Sequence, residues 1–117
     1  MASQSTSGNI ISNRYASALY DLASESTSVD QVLNDLGSLQ YFTQQNKDLK
    51  LLIKSPLISS NDKLIIFEKI LSKINAHKLT NTFLKVVSNN KRFSNLPSII
   101  KKFISINSEK RGDILAD

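Results

Sequence analysis

The side chains that could do chemistry are few, and their spacing does not assemble a catalytic or metal site. The 117-residue chain has one histidine, His77, and no cysteine. A zinc site needs several His, Cys or carboxylate ligands at close spacing, so we expect His77 to cap a helix or to face solvent. With only three glycines, the sequence also lacks a glycine-rich loop that could cradle a phosphate. We therefore predict no catalytic residue, no metal and no cofactor, and a protein that is not an enzyme.

Basic side chains are the second group that could act on a ligand. Residues 1–46 carry one Arg against four acidic residues, whereas residues 47–117 carry fourteen Lys and Arg against six acidic residues. The pairs Lys91-Arg92 and Lys101-Lys102 could contact phosphate, so a small basic helical domain that binds nucleic acid stays open as the alternative function. Three arginines are poor material for base readout, and a solvated basic face is the preferred interpretation.

The elements that must position these groups are helices. Only three glycines and two prolines among 40% hydrophobic residues favour helices over strands and tight turns. Apolar residues recur at spacings of three and four in six segments. The predicted helices begin near Ser12, Ser28, Lys47, Ser59, Ala76 and Pro97. The expected fold class is all-α, a compact bundle of about six short helices, and no apolar run approaches the roughly 20 residues that span a bilayer.

Several residues indicate where these helices begin and end. Ser28 and Gln31 form an S-x-x-Q capping box, and Ser59 offers a second cap ahead of an acidic first turn. Gly37 interrupts the second helix, where it either allows a close helix crossing or has no role. Gly112 follows a basic last turn and is a normal helix stop.

The first helix has more apolar surface than one buried face requires. Helical spacing divides its small and apolar side chains into two stripes, one with Tyr15, Ala18, Leu19 and Leu22 and the other with Ala16, Tyr20 and Ala23. One stripe must pack on the domain itself, and the other needs a different partner.

Read together, four segments resemble the delta subunit of bacterial F-type ATP synthase and its mitochondrial counterpart, the oligomycin-sensitivity-conferring protein. They are RYASALYDLA, LIKSPLISSNDKLIIFEKI, FLKVVSNNKRFSNLPSIIKKF and RGDILA, and the resemblance covers nearly all of the chain from Arg14 onward. One position departs from the family pattern, because Lys91 stands where the family often has glycine.

The resemblance implies a domain organisation. Family members have an N-terminal bundle of six helices and a smaller C-terminal region that contacts the peripheral-stalk b subunit. We therefore expect a flexible tail over residues 1–11 and the six-helix domain over residues 12–111. Residues 112–117 would begin a connection to a C-terminal region that the chain lacks.

The resemblance also implies a function, that of a non-catalytic stator domain that links the catalytic head to the peripheral stalk. Such a domain binds the N-terminal amphipathic helix of an alpha subunit in a groove between its first and fifth helices. By alignment with the family and by helical spacing, the resemblance implies that the groove is lined by Tyr15, Ala18, Leu19, Leu22, Thr82, Val86 and Asn90. Leu19 and Leu22 could equally belong to the core of the domain.

The remaining expectations concern partners and location. The partners are the alpha subunit and, through the absent C-terminal region, the b subunit, without nucleic acid and without insertion into the membrane. The expected location is peripheral, on the cytoplasmic face of the bacterial inner membrane or on the matrix side of the mitochondrial one.

Overall fold

A computed structural model describes residues 6–112, with side chains from Asn9 onward. All regular secondary structure within residues 6–112 is helical. The α-helices are α1 (Thr6–Glu25), α2 (Val29–Gln45), α3 (Lys47–Lys54), α4 (Ser60–Lys73), α5 (Lys78–Asn89) and α6 (Leu96–Arg111). A 3₁₀ turn, Phe93–Asn95, leads into α6. The prediction of an all-α bundle of about six helices is confirmed.

The first helix begins earlier than the sequence predicted. It starts at Thr6 instead of Ser12, so the predicted flexible tail is wrong for residues 6–11, which are helical. Residues 1–5 of the predicted tail and residues 113–117 of the predicted connection lie outside the described part of the chain.

The core is built around α1 and α6, which pack along each other. The Tyr20 ring lies 5.2 Å from the Phe103 ring, measured between centroids, and the Tyr20 hydroxyl donates a hydrogen bond of 3.1 Å to the side-chain oxygen of Asn107. Apolar residues along one face of α6 are buried in this core, and Ile104 is partly buried against it. The buried residues of that face are Ile99, Ile100, Phe103 and Ile106.

The start of α5 is held against α2 by a buried carboxylate. Asp35 accepts hydrogen bonds from the backbone N–H of His77, at 2.8 Å, and from the hydroxyl of Thr80, at 2.7 Å. The His77 ring nitrogen Nδ1 accepts from the backbone N–H of Leu79 at 3.0 Å, so the capping role predicted for His77 is confirmed. These bonds satisfy donors that the first turn of a helix leaves without an intrahelical partner.

Two of the local predictions at helix starts have opposite outcomes. Ser59 caps α4 as predicted, because its hydroxyl accepts from the N–H of Asp62 at 3.1 Å. The capping box at Ser28 is wrong, since its side chain makes no cap hydrogen bond. The tight turn after α1 draws Ser28 back under that helix, where its hydroxyl donates to the Ala23 carbonyl at 3.4 Å. The close crossing considered at Gly37 is also absent, because a Cβ built there meets no atom within 4 Å.

Three helices end in left-handed residues that are not glycine. Thr27 and Lys91 have φ 56°, and Asn75 has φ 52°. At each site the next residue's N–H reaches back to a carbonyl of the last turn, for example from Arg92 to Val87 at 2.9 Å. This bond is the signature of a Schellman motif. Lys91, where the resemblance leads us to expect glycine, thus has the left-handed backbone that a glycine would favour.

Candidate helix-binding groove

An open pocket of about 320 Å³ lies between α1 and α5. Its lining residues are Arg14, Tyr15, Ala18, Leu19, Leu22, Leu79, Thr82, Phe83, Val86 and Asn90. All seven residues predicted from the sequence border this one concavity, which we call the α1–α5 groove.

The α1 wall combines exposed and buried side chains. Leu22 is 51% exposed and Ala18 is exposed, whereas Leu19 is fully buried. The sequence left open whether Leu19 and Leu22 belong to the core or to the groove. Leu19 is a core residue that also forms part of the groove floor, and Leu22 lies at the surface. The methyl side chain of Ala18 leaves room for another backbone to approach α1 closely.

The α5 wall shows one face to the groove and another to the core. Val86 is 43% exposed and Thr82 is exposed, while Leu84 and Val87 are buried. Phe83 and Leu79 also line the groove and are not among the seven residues predicted for it. The spacing of three and four that links Leu79 to Thr82 and Phe83 was the signal that could have placed them here.

One end of the groove is polar. The side-chain N–H of Asn90 donates a hydrogen bond of 2.7 Å to the Tyr15 hydroxyl, and this bond joins the end of α5 to α1. The Tyr15 ring also meets Phe83 edge-on, with the centroids 6.3 Å apart. Arg14 also lines the groove. It is not among the seven predicted residues, although it directly precedes Tyr15 in the segment that resembles the family.

The groove can bind an apolar surface, but its residues do not form a catalytic arrangement. Its lining residues include no histidine and no carboxylate, so they offer no general base. Over the whole described range, no group of three or more His, Cys, Asp or Glu side chains is placed to hold a metal ion. None of the helices in residues 6–112 has the length and apolar character needed to cross a membrane.

The fold and groove define a class, a helical bundle whose described residues leave an open apolar groove between two helices. The model of the ATP synthase delta (OSCP) subunit family matches residues 11–117. The chain therefore belongs to the ATP synthase delta (OSCP) subunit family, as its segments predicted.

Individual relatives agree with this assignment. The chain is 40% identical to the ATP synthase subunit delta of Brucella suis biovar 1 over 117 residues, which cover 100% of the chain and 63% of that protein. It is 41% identical to the ATP synthase subunit delta of Rhizobium leguminosarum bv. trifolii over 115 residues, covering 98% of the chain and 60% of that relative. The chain thus spans somewhat less than two thirds of the length of these curated relatives.

Proposed function

We propose that this chain is a non-catalytic stator domain of F-type ATP synthase that binds the N-terminal amphipathic helix of an alpha subunit in the α1–α5 groove. The observation that supports this most directly is the convergence of all seven predicted residues on one apolar concavity. These residues lie on α1 and on α5 with its C-cap residue Asn90, and the two helices are far apart in the sequence.

The physical basis of binding is burial of apolar surface that the domain leaves open. Leu22 and Val86, on opposite walls, are each about half exposed. A docked helix would remove this surface from water, which contributes about 25 cal/mol per Å² of apolar area. Anchors at helical spacing on the partner would enter the groove between the walls, with Ala18 allowing close approach.

Binding of this kind suits a stator. The domain would hold the catalytic hexamer against the torque of the rotor, so the contact must persist while the enzyme turns over. Persistence requires slow dissociation, which is the quantity that differs most among related complexes.

The remaining parts of the proposal concern the whole subunit. Its C-terminal region would contact the b subunit of the peripheral stalk, and the assembly would place the domain at the membrane surface without insertion. The location would be the cytoplasmic face of a bacterial inner membrane or the matrix side of a mitochondrial one.

The test of the proposal is Ala18→Asp. In the free domain the new carboxylate stays in contact with water, so the melting temperature should remain close to that of the unmodified chain. A docked helix would bury the charge against apolar surface and could no longer approach α1 closely, at a cost of several kcal/mol even with Arg14 on the same wall. Affinity should therefore fall by about a hundredfold or more, measured by calorimetric titration with an alpha-subunit N-terminal peptide from the same source.

The matched control is Ser17→Asp, which adds the same charge at a neighbouring exposed position outside the groove. This variant should bind the peptide normally. A folded Ala18→Asp variant with undiminished affinity would remove the α1 wall from the binding site. The titration is repeated across salt concentrations, because apolar contacts respond weakly to salt whereas a nucleic-acid binder loses affinity steeply. A steep loss together with RNA or DNA binding would favour the alternative.

A further inference from the structure

A second concavity, of about 580 Å³, lies where the loop before α4 meets the end of α5. Its lining residues are Ser55, Pro56, Ile58, Ser59, Ser60, Asn61, Lys63, Leu64, Ser88, Asn89 and Lys91. We call it the α4–α5 cleft, and it shares no lining residue with the α1–α5 groove. The two walls are joined by a hydrogen bond of 3.1 Å from the Ser88 hydroxyl to the Ser60 carbonyl.

The cleft is polar, and all of its charged lining residues are positive. Its two charged lining residues are Lys63 and Lys91, and none of its lining residues is acidic. Four serines and two asparagines line the same space. Hydroxyl and amide groups donate hydrogen bonds to oxygen acceptors, and the ammonium groups are donors only.

Lys63 is an incompletely satisfied buried cation. It is 8% exposed, and its ammonium donates a hydrogen bond of 3.0 Å to the Ile53 carbonyl. An ammonium has three N–H donors, and the Lys63 ammonium makes no other hydrogen bond or ion pair with the described residues. Burial lowers the pKa of Lys63, because loss of solvent disfavours the charged form. A negative partner in the cleft would compensate that loss of solvent.

Lys91 is held at the edge of the cleft by its own turn. Its backbone is fixed at φ 56° by the helix-end motif, in which its N–H donates to the Ser88 carbonyl at 2.9 Å. The side chain is exposed and therefore able to follow a ligand. One buried lysine and one exposed lysine thus border the same polar space.

We propose that the α4–α5 cleft binds an oxyanion, a phosphate group or a carboxylate, through Lys63 and Lys91. Hydrogen bonds from ammonium groups to such oxygens are charge-assisted and stronger than those between neutral groups. The site is separate from the α1–α5 groove, so it does not depend on the proposed function of the domain.

The test is a titration of the 15N-labelled 117-residue chain, followed by two-dimensional NMR. Sodium phosphate and sodium acetate are added in separate arms, with sodium chloride keeping the ionic strength constant. We expect saturable shifts confined to amides of the cleft, including those of Ser60, Ser88 and Lys91. Lys63→Met should weaken binding by about tenfold, and Lys91→Gln by about threefold.

The control is Lys85→Gln, which removes an exposed lysine of α5 that does not line the cleft and should leave the titration unchanged. Saturation by phosphate identifies a phosphate group as the ligand, and saturation by acetate alone identifies a carboxylate. Shifts that fail to saturate with either anion would overturn the proposal. Unchanged affinity in Lys91→Gln would also overturn it, and this exposed substitution provides a test even if Lys63→Met does not fold.

Discussion

The two faces of α1 have similar residue types but different environments. On the core face, Ala16 and Leu19 are fully buried. On the groove face, Ala18 is exposed and Leu22 is half exposed. Apolar character alone therefore does not make a residue part of the core. The core face is completed by packing within the domain, whereas the groove face has no such cover among the described residues.

The same contrast appears in the two tyrosines of α1. Tyr20 is buried and its hydroxyl donates to Asn107, while Tyr15 accepts from Asn90 at the surface. Water can replace a lost partner at the surface but not in the core, so the buried bond should matter more even though the exposed one is shorter.

The strongest test of this comparison is a charge on the core face. Ala16→Asp would place a carboxylate where no solvent reaches and no counterion is available, at a cost of more than about 4 kcal/mol. We expect the chain to lose its cooperative thermal transition by circular dichroism. Ala18→Asp, two residues along the same helix, is the control and should melt normally. Similar melts for both variants would show that the two faces do not differ.

Truncation of the two leucines should separate the faces less severely. Leu19→Ala leaves a cavity in the core and should lower the free energy of unfolding by about 3 kcal/mol, whereas Leu22→Ala should cost less than about 1 kcal/mol. Urea unfolding measures both. In the peptide titration Leu22→Ala should still weaken binding, because its side chain borders the groove. Equal losses of stability would contradict the difference in burial.

Removal of the tyrosine hydroxyls sharpens the comparison further. Tyr20→Phe leaves the Asn107 oxygen without its buried partner and should cost about 1–2 kcal/mol. Tyr15→Phe should cost less than about 0.5 kcal/mol, since water can hydrate Asn90. Urea midpoints at unchanged slope are the measurement. A larger loss for Tyr15→Phe would mean that the bond across the groove end stabilises the fold.

The smallest expected effect concerns Ser12, which shares the core face at helical spacing with Ala16. Its buried hydroxyl oxygen has no hydrogen-bond partner among residues 6–112. Ser12→Ala removes this unsatisfied group and should raise the free energy of unfolding by up to about 1 kcal/mol. Ser17→Ala, at an exposed position of α1, corrects for the higher helix propensity of alanine. A loss of stability in Ser12→Ala relative to this control would reveal a stabilising role of the hydroxyl.

The positions of the helices and of many helix ends can be predicted from the sequence, because they depend on residues close together in the chain. Ser55, before Pro56, is extended with ψ 124°, and Gly112 ends α6 at φ 78°. Both follow from steric limits of the residues themselves. The spacing of apolar residues likewise indicated which parts of α6 are buried, and the family pattern selected the positions on α1 and α5 that border the groove.

Which residues these side chains contact depends on how the helices pack, and the sequence does not show it. Spacing placed Leu19 with Leu22, but packing of the domain buries Leu19 and leaves Leu22 at the surface. Ser28 carries the sequence signature of a cap, yet the turn after α1 engages its hydroxyl elsewhere. The burial of Lys63 against the Ile53 carbonyl was equally invisible in the sequence. Each of these outcomes depends on contacts between different helices or across a turn, and such contacts are fixed by how the elements pack rather than by local propensity.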